Sequence, residues 1–111
     1  NHKTIKKNDN LNTNYFIKID AEGFDLEILK QFWKAGLCEN SFIQVEYGEA
    51  QKNLHIQISD FKKLLPMHKS FIVSNRKLLP LSILKLYDFC DPLLNILFIP
   101  EQFNDFIKKL I

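Results

Sequence analysis

Glycine is scarce in this sequence, with three residues in a chain of 111. They are Gly23, Gly36 and Gly48, and no two of them are separated by a single residue, so the sequence contains no G-x-G motif. Loops that bind a nucleotide phosphate or a dinucleotide take their shape from closely spaced glycines. A self-contained glycine-rich cofactor loop is therefore excluded from this stretch of chain.

Cysteine and histidine are also few and scattered. Cys38 and Cys90 lie far apart without a C-x-x-C motif, so we expect two reduced thiols, with a bridge between them as the alternative. The three histidines, His2, His55 and His68, form no H-x-H or H-x-x-x-H pair, and we expect no metal site. No serine lies in a G-x-S-x-G motif, which disfavours a serine hydrolase.

The sequence also has no large excess of charge of one sign and no long apolar run. Fifteen basic and 13 acidic residues give a formal net charge of +2. This balance favours neither nucleic acid nor a membrane surface as a partner. No apolar run is long enough to span a membrane, and no secretory pattern opens the chain. With 46% hydrophobic and 25% charged residues, the composition is that of an ordinary globular domain, which we expect to be cytoplasmic.

The start of the chain is polar and lacks an initiator methionine. The sequence begins at Asn1, and its single methionine is Met67, so we expect a segment of a longer protein. Residues 1–14 are rich in Asn and Lys without apolar periodicity and predict a linker or tail. Residues 15–111 predict one domain.

Apolar periodicity predicts an alternation of strands and helices. Residues 15–19 are apolar with little polar alternation, which predicts a strand covered on both faces. A helix is predicted over residues 24–35, with Asp25 on its polar face. The apolar face of this helix is formed by Leu26, Leu29, Phe32 and Trp33. Residues 42–46 predict a second strand, and the strand–helix–strand succession predicts a parallel βαβ unit.

The pattern after the second strand is less regular. Following a polar loop, Ser59 is placed to cap a short helix over residues 60–65, which ends at Pro66. The remaining predicted elements are strands over residues 71–74 and 95–99, an irregular stretch with some helix over 78–89, and a final helix over 101–111.

Three acids lie where the carboxyl ends of the predicted parallel strands would meet. Asp20 and Glu22 lie in the turn after the first strand, and Glu46 ends the second strand. Open α/β sheets bind ligands at this edge, so the acids could face one crevice and position a hydroxyl group, act as a general base or bind Mg²⁺. The structural alternatives are that Asp20 and Glu22 cap the following helix and that Glu46 is simply solvated.

The first strand, its turn and its helix carry a resemblance to a known family. The segment FIKIDAEGFDLEILK, residues 16–30, resembles the central motif of the FkbM-type S-adenosylmethionine-dependent methyltransferases. In that motif an apolar strand with a lysine ends in Asp-x-Glu-Gly, followed by an acidic residue and a Leu/Ile-rich helix. The family's usual second glutamate is Asp25 here. Residues 43–46 and 95–100 resemble, more weakly, the family's next strand and its closing strand.

This resemblance implies a partial Rossmann-like methyltransferase sheet of α/β class. The chain would supply strands four to seven of seven, with the last strand antiparallel and the glycine-rich loop upstream. The implied reaction is methylation of a sugar or other hydroxyl acceptor by S-adenosylmethionine. Asp20 would be catalytic and would contact the methyl donor, with Glu22 supporting it and Glu46 binding the acceptor.

The resemblance also implies that the segment is inactive when isolated. Its first strand would have an open edge, through which homo-oligomers could form. Two alternatives remain at this point: a non-catalytic α/β interaction or assembly module, and a hydrolase with a carboxylate pair.

Overall fold

The computed structural model describes residues 15–74, 78–81 and 93–110. The predicted linker over residues 1–14, Cys90 and most of the stretch over 78–89 lie outside the described residues. The elements in chain order are β1 (Phe16–Ile19), α1 (Asp25–Lys34), β2 (Phe42–Gly48), α2 (Glu49–Asn53), α3 (Ile58–Leu64), β3 (His68–Val73), β4 (Leu78–Pro80), β5 (Leu93–Pro100), a 3₁₀ turn (Glu101–Phe103) and α4 (Asn104–Leu110).

The five strands form one mixed sheet in the order β1-β2-β5-β3-β4. β1 and β2 are parallel, with Ile19 beside Val45, which confirms the predicted βαβ unit. β5 is antiparallel to both β2 and β3, so β1, β2 and β3 share one direction. The carboxyl ends of these three strands therefore lie at the same edge of an α/β sheet.

The main core lies on one face of the sheet. Its largest fully buried side chains come from β2, β5, α1 and α3, and they are Ile43, Val45, Ile96, Phe98, Leu29 and Phe61. The rings of Phe61 and Phe98 stack with their centroids 6.5 Å apart. Full burial of an apolar side chain of this size stabilises a fold by roughly 1.5–3 kcal/mol. This packing fixes α1 and α3 against the strands that carry the predicted site.

The described residues cover β1 on one face only, whereas the sequence predicts cover on both. Ile17 and Ile19 are buried in the main core, but Phe16 is 60% exposed and Lys18 is exposed. Among the described residues β1 pairs only with β2. As far as the described residues go, the sheet therefore has an open edge and an open face at this strand.

Aromatic side chains gather at one end of the open face. Phe42 lies at the centre, with ring centroids 6.4 Å from Phe16, 5.0 Å from Phe103 and 5.9 Å from Phe106. We call these four residues the aromatic patch. A second, smaller core on the same side, formed by Phe71, Leu78, Leu97, Ile99 and Ile107, holds α4 in place.

Two local predictions are wrong. The sequence predicts Ser59 as the cap of α3, but Gln57 is the N-cap, and its backbone N–H donates to Oδ2 of Asp60 at 2.8 Å. Ser59 lies inside the helix, and its hydroxyl donates to Oε1 of Gln57 at 3.2 Å. The predicted polar loop contains α2, where Oε1 of the buried Gln51 accepts from the Gly48 N–H at 2.9 Å.

Trp33 also departs from its predicted place. The helical period puts it on the apolar face of α1, but its side chain is 52% exposed. Phe32, on the same predicted face, is partly buried against the main core. Trp33 lies instead at a partly open cavity, which Leu65 and Met67 also line.

Candidate active site

The turn between β1 and α1 carries two of the predicted site residues. The Phe24 N–H donates to the Ala21 carbonyl at 3.0 Å, which closes the turn. The two central residues have positive φ angles, 50° at Glu22 and 100° at Gly23, as in a type I′ turn. A Cβ atom on Gly23 would lie 3.2 Å from Cδ1 of Leu54. Both the conformation and the close packing therefore require glycine at this position.

Glu22 occupies a backbone conformation that glutamate rarely adopts. A positive φ is favoured by glycine and asparagine, and for other residues it costs of order 1–3 kcal/mol. The side chain of Glu22 is exposed, so burial of that side chain does not explain the strain. Strained backbone of this kind clusters at functional sites in proteins. The carboxylate of Glu22 lies close enough to contribute to a raised pKa at Glu46.

Asp25 is fully buried, although the helical pattern predicts it on the polar face. Its Oδ1 accepts from the Ala21 N–H at 3.0 Å, and its Oδ2 accepts from the Glu46 N–H at 3.3 Å. Burial raises the pKa of Asp25, and the two backbone hydrogen bonds oppose that rise because they favour the carboxylate. Asp25 thus ties the turn after β1 to the middle of β2.

Asp20 and Glu46 come together across the two parallel strands. Ile19 pairs with Val45, so the next residue of each strand, Asp20 and Glu46, falls at the same level. Burial raises the pKa of Glu46, and a hydrogen bond between its side chain and that of Asp20 raises it further. The negative charges of Asp20, Asp25 and Glu22 act in the same direction. Glu46 therefore holds a proton more tightly than an isolated glutamate does.

Neither Asp20 nor Glu22 caps α1. The N-cap residue is Phe24, and no side chain caps the helix. The carboxylate that binds the backbone of the turn belongs to Asp25 instead. The structural alternative that the sequence offers for Asp20 and Glu22 is therefore wrong.

Other polar side chains lie beside Asp20 and Glu46 on the open face of the sheet. Strand pairing places Lys18 beside Gln44, and Glu46 beside Asn95 of β5. Gln44 and Asn95 are partly exposed, so their amide groups can reach a bound molecule. Within the described ranges, no group of three or more His, Cys, Asp or Glu residues is arranged to hold a metal ion.

Comparison with protein-family models, with curated proteins and with solved structures finds no match to this chain. Among the described residues, no helix is both long and apolar enough to cross a membrane. The function of the chain must therefore be inferred from the chemistry of its own residues.

Proposed function

We propose that this chain is the C-terminal half of an S-adenosylmethionine-dependent methyltransferase that methylates a hydroxyl group of a sugar or similar acceptor. The observation that carries the proposal is the Asp20–Glu46 carboxyl pair on two neighbouring parallel strands, with Asp20 directly after β1 and Glu46 two residues before the carboxyl end of β2. This is the edge at which open α/β sheets bind their ligands. The likeness of residues 16–30 to the FkbM motif supplies the reaction class.

The carboxyl pair suits the removal of a proton from the acceptor. In O-methylation the hydroxyl oxygen forms a bond to the methyl carbon, the carbon–sulfur bond breaks, and the hydroxyl proton must leave. The pKa of Glu46 is raised, so its carboxylate is a stronger base than an isolated one. Glu46 takes up the hydroxyl proton as the bond to the methyl carbon forms. A general base in this role accelerates a reaction by about 10²–10⁴-fold.

The charge of the site fits a cationic methyl donor. S-adenosylmethionine supplies an electrophilic methyl group on a positively charged sulfonium. We assign Asp20 to the donor side of the site and Glu46 to the acceptor side, where Asn95 lies next to it. The described residues contain no glycine-rich turn for the nucleoside. On this proposal, the contacts to the nucleoside come from the upstream half of the protein.

The sheet has two features that suit a C-terminal half. Its last strand, β5, is antiparallel to both of its neighbours, as the resemblance implies for a closing strand. Within the part of the chain that the structure describes, β1 has a partner on one side only, and Phe16 is exposed on it. An upstream strand next to β1, with upstream helices over the open face, would pair the edge and cover Phe16.

Methyl transfer by a longer protein that contains this segment tests the proposal. Transfer of labelled methyl groups from S-adenosylmethionine to hydroxyl-bearing acceptors should fall by about 100-fold or more in Asp20→Asn and in Glu46→Gln, because each removes one carboxylate. Glu39→Gln, an exposed acid at the opposite edge of the sheet, is the matched control and should keep full activity. Unchanged transfer in Asp20→Asn would refute the assigned role.

A non-catalytic interaction module is the second candidate, and the aromatic patch favours it. Phe16 and Phe106 are 60% and 46% exposed, although large aromatic side chains are usually well buried. On this alternative, Phe16→Ser weakens the association with a partner protein, whereas Asp20→Asn has no effect on any activity. Parallel measurements on the two variants separate the candidates.

A further inference from the structure

A cationic side chain, Lys18, lies one strand step from the Asp20–Glu46 carboxyl pair. Both of its neighbours in β1 point into the main core, so the alternation of a strand places Lys18 on the opposite, open face. The pairing of β1 with β2 puts Lys18 beside Gln44, and Glu46 follows Gln44 on the same face. Residues two apart along a strand are separated by about 7 Å, so Lys18 and the carboxyl pair can contact one small molecule.

Lys18 has no acidic partner of its own within the described ranges. Its side chain is exposed, and the ion pair found in this part of the chain joins Lys30 to Glu27 on α1. The acid two residues after it, Asp20, forms its hydrogen bond with Glu46. An ammonium group carries three donors, so Lys18 can bind an anionic group of a ligand without breaking a contact in the fold.

Gln44 supplies an amide group beside this ammonium. Its side chain is partly exposed, and the NH₂ group can donate to one oxygen of an anion while Lys18 donates to another. The next side chain on that face of β2 is Glu46, the base of the proposed reaction. A cation, an amide and a base therefore follow one another across β1 and β2.

The charge around Lys18 favours a carboxylate over a phosphate. The negative charges of Asp20 and Glu22 both raise the pKa of Glu46, so the surroundings of the lysine are already negative. A phosphate group carries about 1.5–2 negative charges at neutral pH, and one lysine leaves part of that charge unbalanced. A carboxylate carries one negative charge, which one lysine balances.

We propose that the hydroxyl acceptor is an acidic sugar, of the uronic acid type. This inference rests on the proposed function, which supplies the reacting hydroxyl group. The carboxylate of the sugar binds Lys18 and the amide of Gln44, and a hydroxyl group of the same ring reaches Glu46. Asp20 remains on the donor side. Lys18 is then the residue that selects an acidic sugar over a neutral one.

Methyl β-glucuronoside and methyl β-glucoside test the proposal on the chain itself, because they differ only in a carboxylate against a CH₂OH group. Titrations followed by the amide NMR shifts of β1 and β2 should show at least about tenfold tighter binding of the glucuronoside at low ionic strength. The preference should shrink as salt is added and should disappear in Lys18→Gln. Lys69→Gln, which removes an exposed lysine of β3, is the matched control and should keep the preference.

Three results would overturn the proposal. Equal affinity for the two glycosides, including no measurable binding of either, would leave Lys18 as a charge that protects the edge of β1. A preference that survives in Lys18→Gln would place the carboxylate elsewhere. Displacement of the glucuronoside by S-adenosylmethionine would assign Lys18 to the carboxylate of the methyl donor.

These binding measurements do not depend on methyl transfer, so the two proposals can fail separately. A protein that prefers the glucuronoside but transfers no methyl group would refute the proposed function and keep the acidic sugar as a ligand. Methyl transfer to neutral and acidic sugars at equal rates, with equal binding of both, would refute the acidic sugar alone.

Discussion

The carboxylate of Asp25 accepts a hydrogen bond from the backbone N–H of Glu46, 21 residues further along the chain, at 3.3 Å. Its other oxygen accepts from the Ala21 N–H at 3.0 Å. One buried side chain therefore sets the distance between the turn that carries Asp20 and the strand that carries Glu46. The geometry of the carboxyl pair depends on Asp25, which is not itself a member of the pair.

Asp25→Ala should destabilise the fold by about 3 kcal/mol, because it leaves two backbone N–H groups without an acceptor in a buried place. Asp25→Asn should cost somewhat less, because its one side-chain oxygen keeps one of the two hydrogen bonds, whereas its NH2 group cannot accept the other. Chemical denaturation measures both free energies of unfolding. Glu27→Ala, an exposed acid on the same helix, should change stability by less than about 0.5 kcal/mol. Equal effects of Asp25→Ala and Glu27→Ala would contradict this role.

Stability should fall as the pH falls from neutral, through His68. The folded state lowers the pKa of His68 from 6.5, so the unfolded chain binds the proton more tightly. The free energy of unfolding therefore decreases as the pH falls below about 6.5, until the folded ring is protonated as well. Thermal melts across this range should show the decrease in the wild type and a smaller one in His68→Gln. His55→Gln, at an exposed position, is the control and should follow the wild type.

Two glycines with positive φ provide a matched test of the turn. Gly23→Ala should destabilise the fold more than Gly36→Ala, although both replacements strain the backbone. A Cβ at position 23 meets Leu54 at 3.2 Å, whereas a Cβ at position 36 has no atom within 4 Å. The difference between the two melting temperatures isolates the cost of the contact. If the two variants melt together, the packing of α2 against the turn is looser than the structure shows.

The open edge of β1 should make the isolated segment self-associate. The Tyr15 carbonyl, just before β1, accepts from the Phe42 N–H of β2 at 2.8 Å. The backbone groups of successive residues point to opposite sides of a strand, so those of Phe16 and Lys18 point away from β2. Such groups pair readily with another strand. Light scattering should show association of the wild type and less of it in Phe16→Lys, which places a charge on the exposed face. A strict monomer at high concentration, with rapid amide exchange at Phe16 and Lys18, would rule this out.

Local periodicity was sufficient to predict the elements that hold the site. β1, α1 and β2 lie within a residue or two of their predicted bounds, because each has an apolar pattern long enough to define its period. The proximity of Asp20 and Glu46 followed from strand direction alone. By contrast, α2 spans five residues, which is too short to show a helical period.

The burial of Asp25 could not be read from the helix alone. The helical period of α1 places Asp25 on the polar face with Glu27. Its hydrogen-bond partners are the backbone N–H groups of Ala21 and Glu46, which lie outside the helix. The acidic residue that follows Asp-x-Glu-Gly in the FkbM-like motif is a signal that could have marked this position. The insertion of β5 between β2 and β3 is likewise a long-range pairing that no local pattern specifies.

The place of β5 in the sheet has a consequence for the order of folding. β2 and β3 are not neighbours, and they meet only through β5, which follows both of them in the chain. During synthesis, β1, α1 and β2 can leave the ribosome as a parallel unit with Asp20 and Glu46 already adjacent, while the hairpin of β3 and β4 remains separate. The two parts become one domain when the segment from Leu93 to Pro100 emerges and fills the gap between them. A chain that stalls before Leu93 therefore exposes two additional sheet edges to cellular chaperones, at β2 and at β3.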